Sequence, residues 1–164
     1  MIFNIVLKNR KILIVGGGKI AERKIKTFLS EDVTIHVISP DATEFIKELS
    51  IGGKIKFMQK KVEEQDISNE YFMVLCATDD QKVNDMISGI CESRNILHIN
   101  TGNRENSDIM MVANVNIGDV TISMSTGGKS PGTSKILKEL LLRDMASSDC
   151  IFEDTIKSIY HKKI

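Results

Sequence analysis

Apolar, β-rich runs alternate with helical stripes through the first hundred residues of the chain. Lys11–Val15 reads as a strand, and Ala21, Ile25, Phe28 and Leu29 then recur at i, i+4, i+7 and i+8, one face of a helix. "VTIHVI", Val33–Ile38, is a second strand that stops at Ser39-Pro40, and Thr43–Ser50 is a short helix ended by Gly52-Gly53. Lys54–Met58 alternates as a third strand. "YFMVLCA", Tyr71–Ala77, is continuously apolar, as expected of a strand buried on both faces. Val83, Met86, Ile87 and Ile90 give the next helical stripe, and Ile96–Ile99 a fifth strand. Strand, helix and strand repeated in this way require right-handed crossovers and a mostly parallel sheet, so the fold class is α/β, doubly wound and Rossmann-like.

After Asn100 the pattern changes. Met110–Val115 and Val120–Met124 read as two strands joined by the hairpin turn "NIGD". "STGGKSPGTS" leads into a helix with Ile136, Leu137, Leu140 and Leu141 on one face. Asp149 then caps a last short helix bearing Phe152, Ile156, Ile159 and Tyr160. The hairpin is apolar and follows a sheet that is already complete, so a symmetric copy of the chain is its expected partner and a homodimer the expected assembly.

Composition narrows the class. The chain has 164 residues with 22 basic and 22 acidic side chains, which gives no global electrostatic case for nucleic acid or an anionic membrane. No apolar run reaches the ~18 residues of a membrane span. "MIFNIVLKNRK" lacks the order of a secretion signal, because its apolar residues precede its charges. Cys76, Cys91 and Cys150 form no CxxC pair, and the histidines are only His36, His98 and His161. Neither a disulfide framework nor a metal site is expected, and a reducing cytoplasm fits.

The chemistry begins at "KILIVGGGKIAERK". Gly16, Gly17, Gly18 and Ala21 satisfy G-x-G-x-x-[GA] between a strand and a helix, the context in which that common pattern gains meaning. Gly16 allows the tight turn, Gly18 lets a diphosphate approach the backbone, and Ala21 lets the helix pack close to the sheet. The helix N-terminus, from Lys19 and Ile20, offers free N–H groups and a partial positive charge. The plain alternative is a turn that merely needs glycine. At the end of the second strand Ser39 can bond a ribose hydroxyl, Asp41 stands nearby, and no arginine waits for a 2′-phosphate; NAD is favoured over NADP.

"VGGGKIAERKI", "VISPD", "CATDDQKVN" and "STGGKSPGTSK" resemble, in order and spacing, the precorrin-2 dehydrogenase family of siroheme biosynthesis, from about Asn9 to about Leu141. The resemblance implies a Rossmann-like NAD domain over 1–106, a β dimerisation segment with a glycine loop over 107–130, and C-terminal helices over 131–164. It implies NAD-dependent oxidation of precorrin-2 to sirohydrochlorin, and some members also insert Fe²⁺ as ferrochelatases. It places Gly16 to Ile20 on the diphosphate, Ile38 and Ser39 near the adenosine ribose, and Thr78 and Asp79 beside the nicotinamide half. Asn100, Gly102, Ser125, Thr126, Gly127, Gly128 and Lys129 become candidates for binding the tetrapyrrole. The glycine loop suits its many carboxylates, since it combines a backbone nest, hydroxyls and one charge ahead of a helix that starts near Pro131.

Removing a hydride and a proton needs two acceptors. NAD⁺ supplies one, and a carboxylate within hydrogen-bond reach is the natural other. In the family an aspartate follows the fifth strand. Here that segment is "INTGN", and Gly102 occupies the aspartate position. Three explanations stand. Asp108, six positions on, supplies the base; water serves instead; or the chain binds cofactor and tetrapyrrole as a catalytically impaired carrier or regulator. Asp108 also reads as a solvated loop acid, and His98 as a packed core residue. "SDIMMVA" lacks the proline the family usually carries before the alanine, and the family's helical tail is usually longer, which implies a more open site here and weakens the case for ferrochelatase.

Overall fold

The computed structural model describes residues 2–117, 120–127 and 129–145. They form two compact units, Ile5–Met110 and the described residues from Met111 onward with 2–4.

The first unit is a five-stranded sheet of β1 (Arg10–Val15), β2 (Val33–Ser39), β3 (Lys56–Gln59), β4 (Met73–Cys76) and β5 (Leu97–Asn100). Their order is β3-β2-β1-β4-β5, and every pairing is parallel. Helices α1 (Lys19–Phe28), α2 (Glu44–Ile51) and α3 (Gln81–Ser93) make the crossovers. The strand order reverses between β1 and β4, which opens a crevice at the carboxyl ends of those two strands.

β1 shows why the sheet is sealed on both faces. Ile12 and Ile14 join one apolar cluster with Ala21, Ile25 and Phe28 of α1 and Ile46 of α2. Leu13 and Val15 join a second with Ile87 and Cys91 of α3. Such side chains, buried from water, each stabilise the fold by about 1.5–3 kcal/mol. Asp80 starts α3 by accepting from the N–H groups of Lys82 (2.9 Å) and Val83 (3.4 Å).

The second unit pairs β6 (Ala113–Ile117) with β7 (Val120–Met124), antiparallel, from Ala113 opposite Met124 to Ile117 opposite Val120. The strand expected over Met110–Val115 therefore starts and ends later. The period-2 alternation is carried by buried Val115 and Ile117 between exposed Asn114 and Asn116, and Met110 to Val112 lie outside it. Helix α4 (Pro131–Met145) follows. Gly118 and Asp119 of the expected turn, and the last helix expected after Asp149, lie outside the described residues.

Candidate functional site

β1 delivers the chain into the glycine turn. Gly16 has φ +117°, and a Cβ there would stand 2.3 Å from the carbonyl oxygen of Ala77 after β4. A Cβ on Gly17 would stand 2.2 Å from the carbonyl oxygen of Asp41 after β2. These two glycines let three loops meet. Gly18 differs, because nothing lies within 4 Å of where its Cβ would be. It is the N-cap of α1, with no side-chain cap, and the first helical bond runs from Glu22 N–H to its carbonyl at 2.9 Å. The N–H groups ahead of Glu22 thus have no acceptor within the helix. Open space beside a bare backbone and unpaired N–H groups at Lys19 and Ile20 fit the diphosphate of a dinucleotide.

Around that cradle, Ile38 contributes its carbonyl to Gly16 N–H (2.9 Å) while its side chain is in the core, and Ser39 is buried at the end of β2. Asp41 is exposed and paired with Lys47 at 2.9 Å, a bond that holds its carboxyl below the usual range. Glu22, in the first turn of α1, is held down at about 2 chiefly by its hydrogen bond from Lys26 (2.7 Å), with help from Thr43 and Lys19.

Beyond β4 the polar residues are bonded to one another. Asn84, 2% exposed, accepts at Oδ1 from Thr78 N–H (3.1 Å) and Thr78 Oγ1 (2.8 Å), and its Nδ2 donates to the Thr78 carbonyl (3.0 Å). Thr78 is thereby locked, while Asp79 is exposed. Asn100, 1% exposed at the end of β5, donates to Asp85 Oδ1 and Ser88 Oγ, each at 3.1 Å, and accepts from the N–H groups of Gly102 (3.1 Å) and Asn103 (3.0 Å). Asp85 Oδ1 also accepts from Gln81 Nε2 at 2.8 Å and Asn106 Nδ2 at 3.5 Å. A Cβ on Gly102 would stand 2.0 Å from Gln81 Oε1. The place a side chain at 102 would take is thus filled from α3. Sequence reading missed Asn84, Asp85 and Ser88; their signal is polar residues at i, i+1 and i+4, beside the apolar stripe of α3.

Asp108, in the loop after β5, folds back elsewhere, against His98 of that strand. Its Oδ2 accepts from His98 N–H at 3.1 Å and lies 2.8 Å from His98 Nδ1, a contact close in distance but not aligned as a hydrogen bond. Its own N–H donates to the His98 carbonyl. His98 pairs with Val74, two residues before the strand end at Asn100, so Asp108 pins the middle of β5. His98 is 1% exposed, as a packed residue should be.

In the other unit, Ser125 Oγ accepts from Gly127 N–H (3.1 Å), Gly127 has φ +60°, and Thr126 Oγ1 both donates to the Ser130 carbonyl (3.0 Å) and accepts from its N–H (3.1 Å). Lys129 N–H closes the turn on the Thr126 carbonyl. Ser125, Thr126, Gly127 and Lys129 therefore share one turn ahead of α4; Gly128 lies outside the described residues.

A surface depression of about 700 Å³ lies at the opposite, amino-terminal end of the sheet, between Lys11, Glu70, Tyr71, Arg94 and Leu97. Its charges are already engaged: Lys11 pairs with Glu70, and Arg94 with Glu64 (2.8 Å) and the Ile67 carbonyl. The crevice at the carboxyl ends, not this depression, carries free donors. Among the described residues no group of three His, Cys, Asp or Glu is placed to hold a metal ion, and no helix is long and apolar enough to cross a membrane.

Residues 3–113 match the family model NAD_binding_7, described as "Putative NAD(P)-binding". The chain is 35% identical to a precorrin-2 dehydrogenase of Bacillus subtilis (strain 168), covering 83% of each chain. It is also 35% identical to one of Priestia megaterium, over 81% of this chain and 65% of that protein. A siroheme synthase of Actinobacillus pleuropneumoniae serotype 3 is 30% identical over 82% of this chain, which spans 28% of it. The solved structure of SirC, precorrin-2 dehydrogenase, superposes with a TM-score of 0.81 at 32% identity, covering 98% of this chain and 77% of that one. With a glycine turn shaped for a dinucleotide and this likeness along most of its length, the chain belongs to the precorrin-2 dehydrogenase family, on an NAD(P)-binding Rossmann-like domain.

Proposed function

We propose that the chain oxidises precorrin-2 to sirohydrochlorin with NAD. The observation that carries this reading is the cradle at Gly18, open where a Cβ would be and faced by unpaired N–H groups of α1, in a chain 35% identical to precorrin-2 dehydrogenases. NAD, when bound, supplies the hydride acceptor. The chain's own residues do the rest. Gly16 and Gly17 let the turn close, Gly18, Lys19 and Ile20 present N–H groups to the diphosphate, and Ser39 and Asp41 stand at the ribose end. Thr78, fixed by Asn84, borders the nicotinamide half beside Asp79. Ser125, Thr126, Gly127 and Lys129, with Asn100 and Gly102, are the residues we assign to the tetrapyrrole. Asp41, with no arginine beside it in sequence, favours a ribose hydroxyl over a phosphate, hence NAD. Buried Cys76 and Cys91, both pushed up to about 12 by burial, are unreactive thiols in keeping with a reducing cytoplasm. Anaerobic incubation with freshly made precorrin-2 and NAD⁺ should produce NADH and sirohydrochlorin in equal amounts. Tight NAD binding with no NADH formed would refute oxidation.

One observation favours a second reading. Position 102 has no carboxylate, and a chain that binds cofactor and tetrapyrrole without oxidising would act as carrier or regulator. The same assay separates the two.

A further inference from the structure

We propose that Asp85, carried by α3, is the proton acceptor of the oxidation, in place of a carboxylate on the loop after β5; this rests on the dehydrogenase reading above. The space beside Gly102 is taken by Gln81, whose amide donates to Asp85 at 2.8 Å. Asn100, fixed between β5 and α3, donates to the same oxygen at 3.1 Å, and Asn106 closes on it at 3.5 Å. Three neutral amides thus hold Oδ1, and no bond among the described residues engages Oδ2. The carboxylate is oriented and keeps one oxygen for a proton.

Of the other acids of this crevice, Asp79 is exposed after β4 with no bond among the described residues to orient it, and the rest are committed. Asp41 and Glu22 are ion-paired to Lys47 and Lys26. Asp80 caps α3, and Asp108 is bonded along His98, short of the strand end. The bonds to Asp85 among the described residues come from neutral amides, and no ion pair among them engages it. The groups that face it are Gln81 and Ser88 of α3, Asn100 of β5, Asn106 after β5, and the Cys76 thiol of β4, pushed up to about 12 and therefore neutral.

The step balances. A C–H bond of the substrate breaks and its electron pair leaves with the hydrogen as hydride to the nicotinamide acceptor. The partner N–H bond breaks and leaves its electrons in the new double bond, while Asp85 Oδ2 takes the proton. The substrate is oxidised by two electrons, NAD⁺ is reduced, and the carboxylic acid then returns its proton to solvent.

Asp85→Asn is the test, because it keeps an oxygen for the three amides and removes only the ionisable group. On the full chain, kcat should fall by roughly 10²–10⁴, the range of a general base. The NAD Kd by calorimetry, the substrate KM and Tm should stay within twofold or within about 2 °C, results that a merely structural role would not combine. The rise of kcat/KM with pH in the wild type should vanish in the variant. Asp85→Glu should recover part of the rate. In the cofactor-free chain, Gln81→Ala and Asn100→Ala should each move the Asp85 carboxyl resonance in NMR spectra. An Asp85→Asn enzyme with wild-type kcat overturns the assignment, as does an Asp108→Asn enzyme that loses kcat at unchanged Tm, or an Asp85 resonance blind to both neighbours. Wild-type chain that binds NAD and oxidises nothing removes the dehydrogenase reading and the assignment together; turnover retained in Asp85→Asn removes the assignment alone.

Discussion

Replacing Gly16 and Gly18 by alanine, one at a time, should separate folding from cofactor binding. At Gly16 the backbone sits at φ +117°, where a side chain costs about 1–3 kcal/mol. The new Cβ would also lie 2.3 Å from the Ala77 carbonyl oxygen and 2.6 Å from its carbon. Those are backbone atoms tied to β1 through the Ala77 N–H to Val15 carbonyl bond, so the two strand ends must part, at a further ~1–3 kcal/mol. A total of about 4 kcal/mol, at ~2–4 °C per kcal/mol for a chain this size, lowers Tm by roughly 10 °C. Gly18 has φ −81° and empty space beside it, so alanine costs at most about 1 kcal/mol as a poorer N-cap. Its methyl would stand where the diphosphate is expected, and the NAD Kd should rise at least tenfold, about 1.4 kcal/mol. Thermal unfolding and calorimetry on both variants decide the matter. Gly18→Ala with a Kd within twofold of wild type would mean that the dinucleotide does not approach there. Gly16→Ala with unchanged Tm would refute the close approach of β1 and β4.

Asn84→Ala strips three bonds from Thr78 at a 2%-exposed position and should cost about 2–4 kcal/mol of stability, read by urea unfolding; a loss under 1 kcal/mol would show the loop holding itself. Glu22 titrates at about 2 when folded against 4.5 ordinarily, so its contribution is full above pH 4.5 and is lost as pH falls towards 2. Glu22→Gln should therefore lose less Tm than wild type across that window, and parallel curves would contradict the cause assigned. We infer a homodimer from α4, whose Ile136, Leu137 and Leu140 are 58%, 46% and 47% exposed. Light scattering should give twice the 18.3 kDa chain mass, and a monomer at high concentration refutes it.

The sheet was legible because its strands are apolar runs between clear breakers: "ILIV" of β1, sealed on both faces, could be little else. The glycine turn was legible because three glycines between a strand and a helix have few other uses. Their separate jobs were not, since sequence does not show that Gly16 and Gly17 face backbone and Gly18 faces space. β6 was misjudged at its start because Met110 and Met111 are apolar yet do not alternate with polar neighbours. Asp85, Asn84 and Ser88 escaped because polar residues on a helix resemble a solvent face. Only the fold shows that Thr78 after β4 takes up Asn84 and that Asn100 at the end of β5 takes up Asp85 and Ser88. Asp108 was visible as a carboxylate near the right strand, but only the fold shows that it bonds along His98 instead of beyond Asn100.

The same contacts make position 102 a sharper probe than a simple restoration. Asn100 holds Gly102 and Asn103 with its oxygen and Asp85 and Ser88 with its nitrogen, so the turn after β5 and the start of α3 are one rigid piece. A side chain at 102 enters the space of Gln81 Oε1 at 2.0 Å. Gln81 is exposed and can swing away at small cost, but it then leaves Asp85 with one donor fewer. Gly102→Asp therefore does not just add a base. It sets a second carboxylate close to the first, and like charges at such range raise the proton affinity of one of the two. If Asp85 already takes the proton, Gly102→Asp should lower kcat or leave it unchanged, and should shift the acidic limb of the pH profile upward. In the Asp85→Asn background the same substitution should raise kcat instead, because position 102 then supplies a carboxylate where Asp85 no longer does. A large gain in turnover from Gly102→Asp alone would mean that the native crevice lacks a working base, and would favour the carrier over the enzyme.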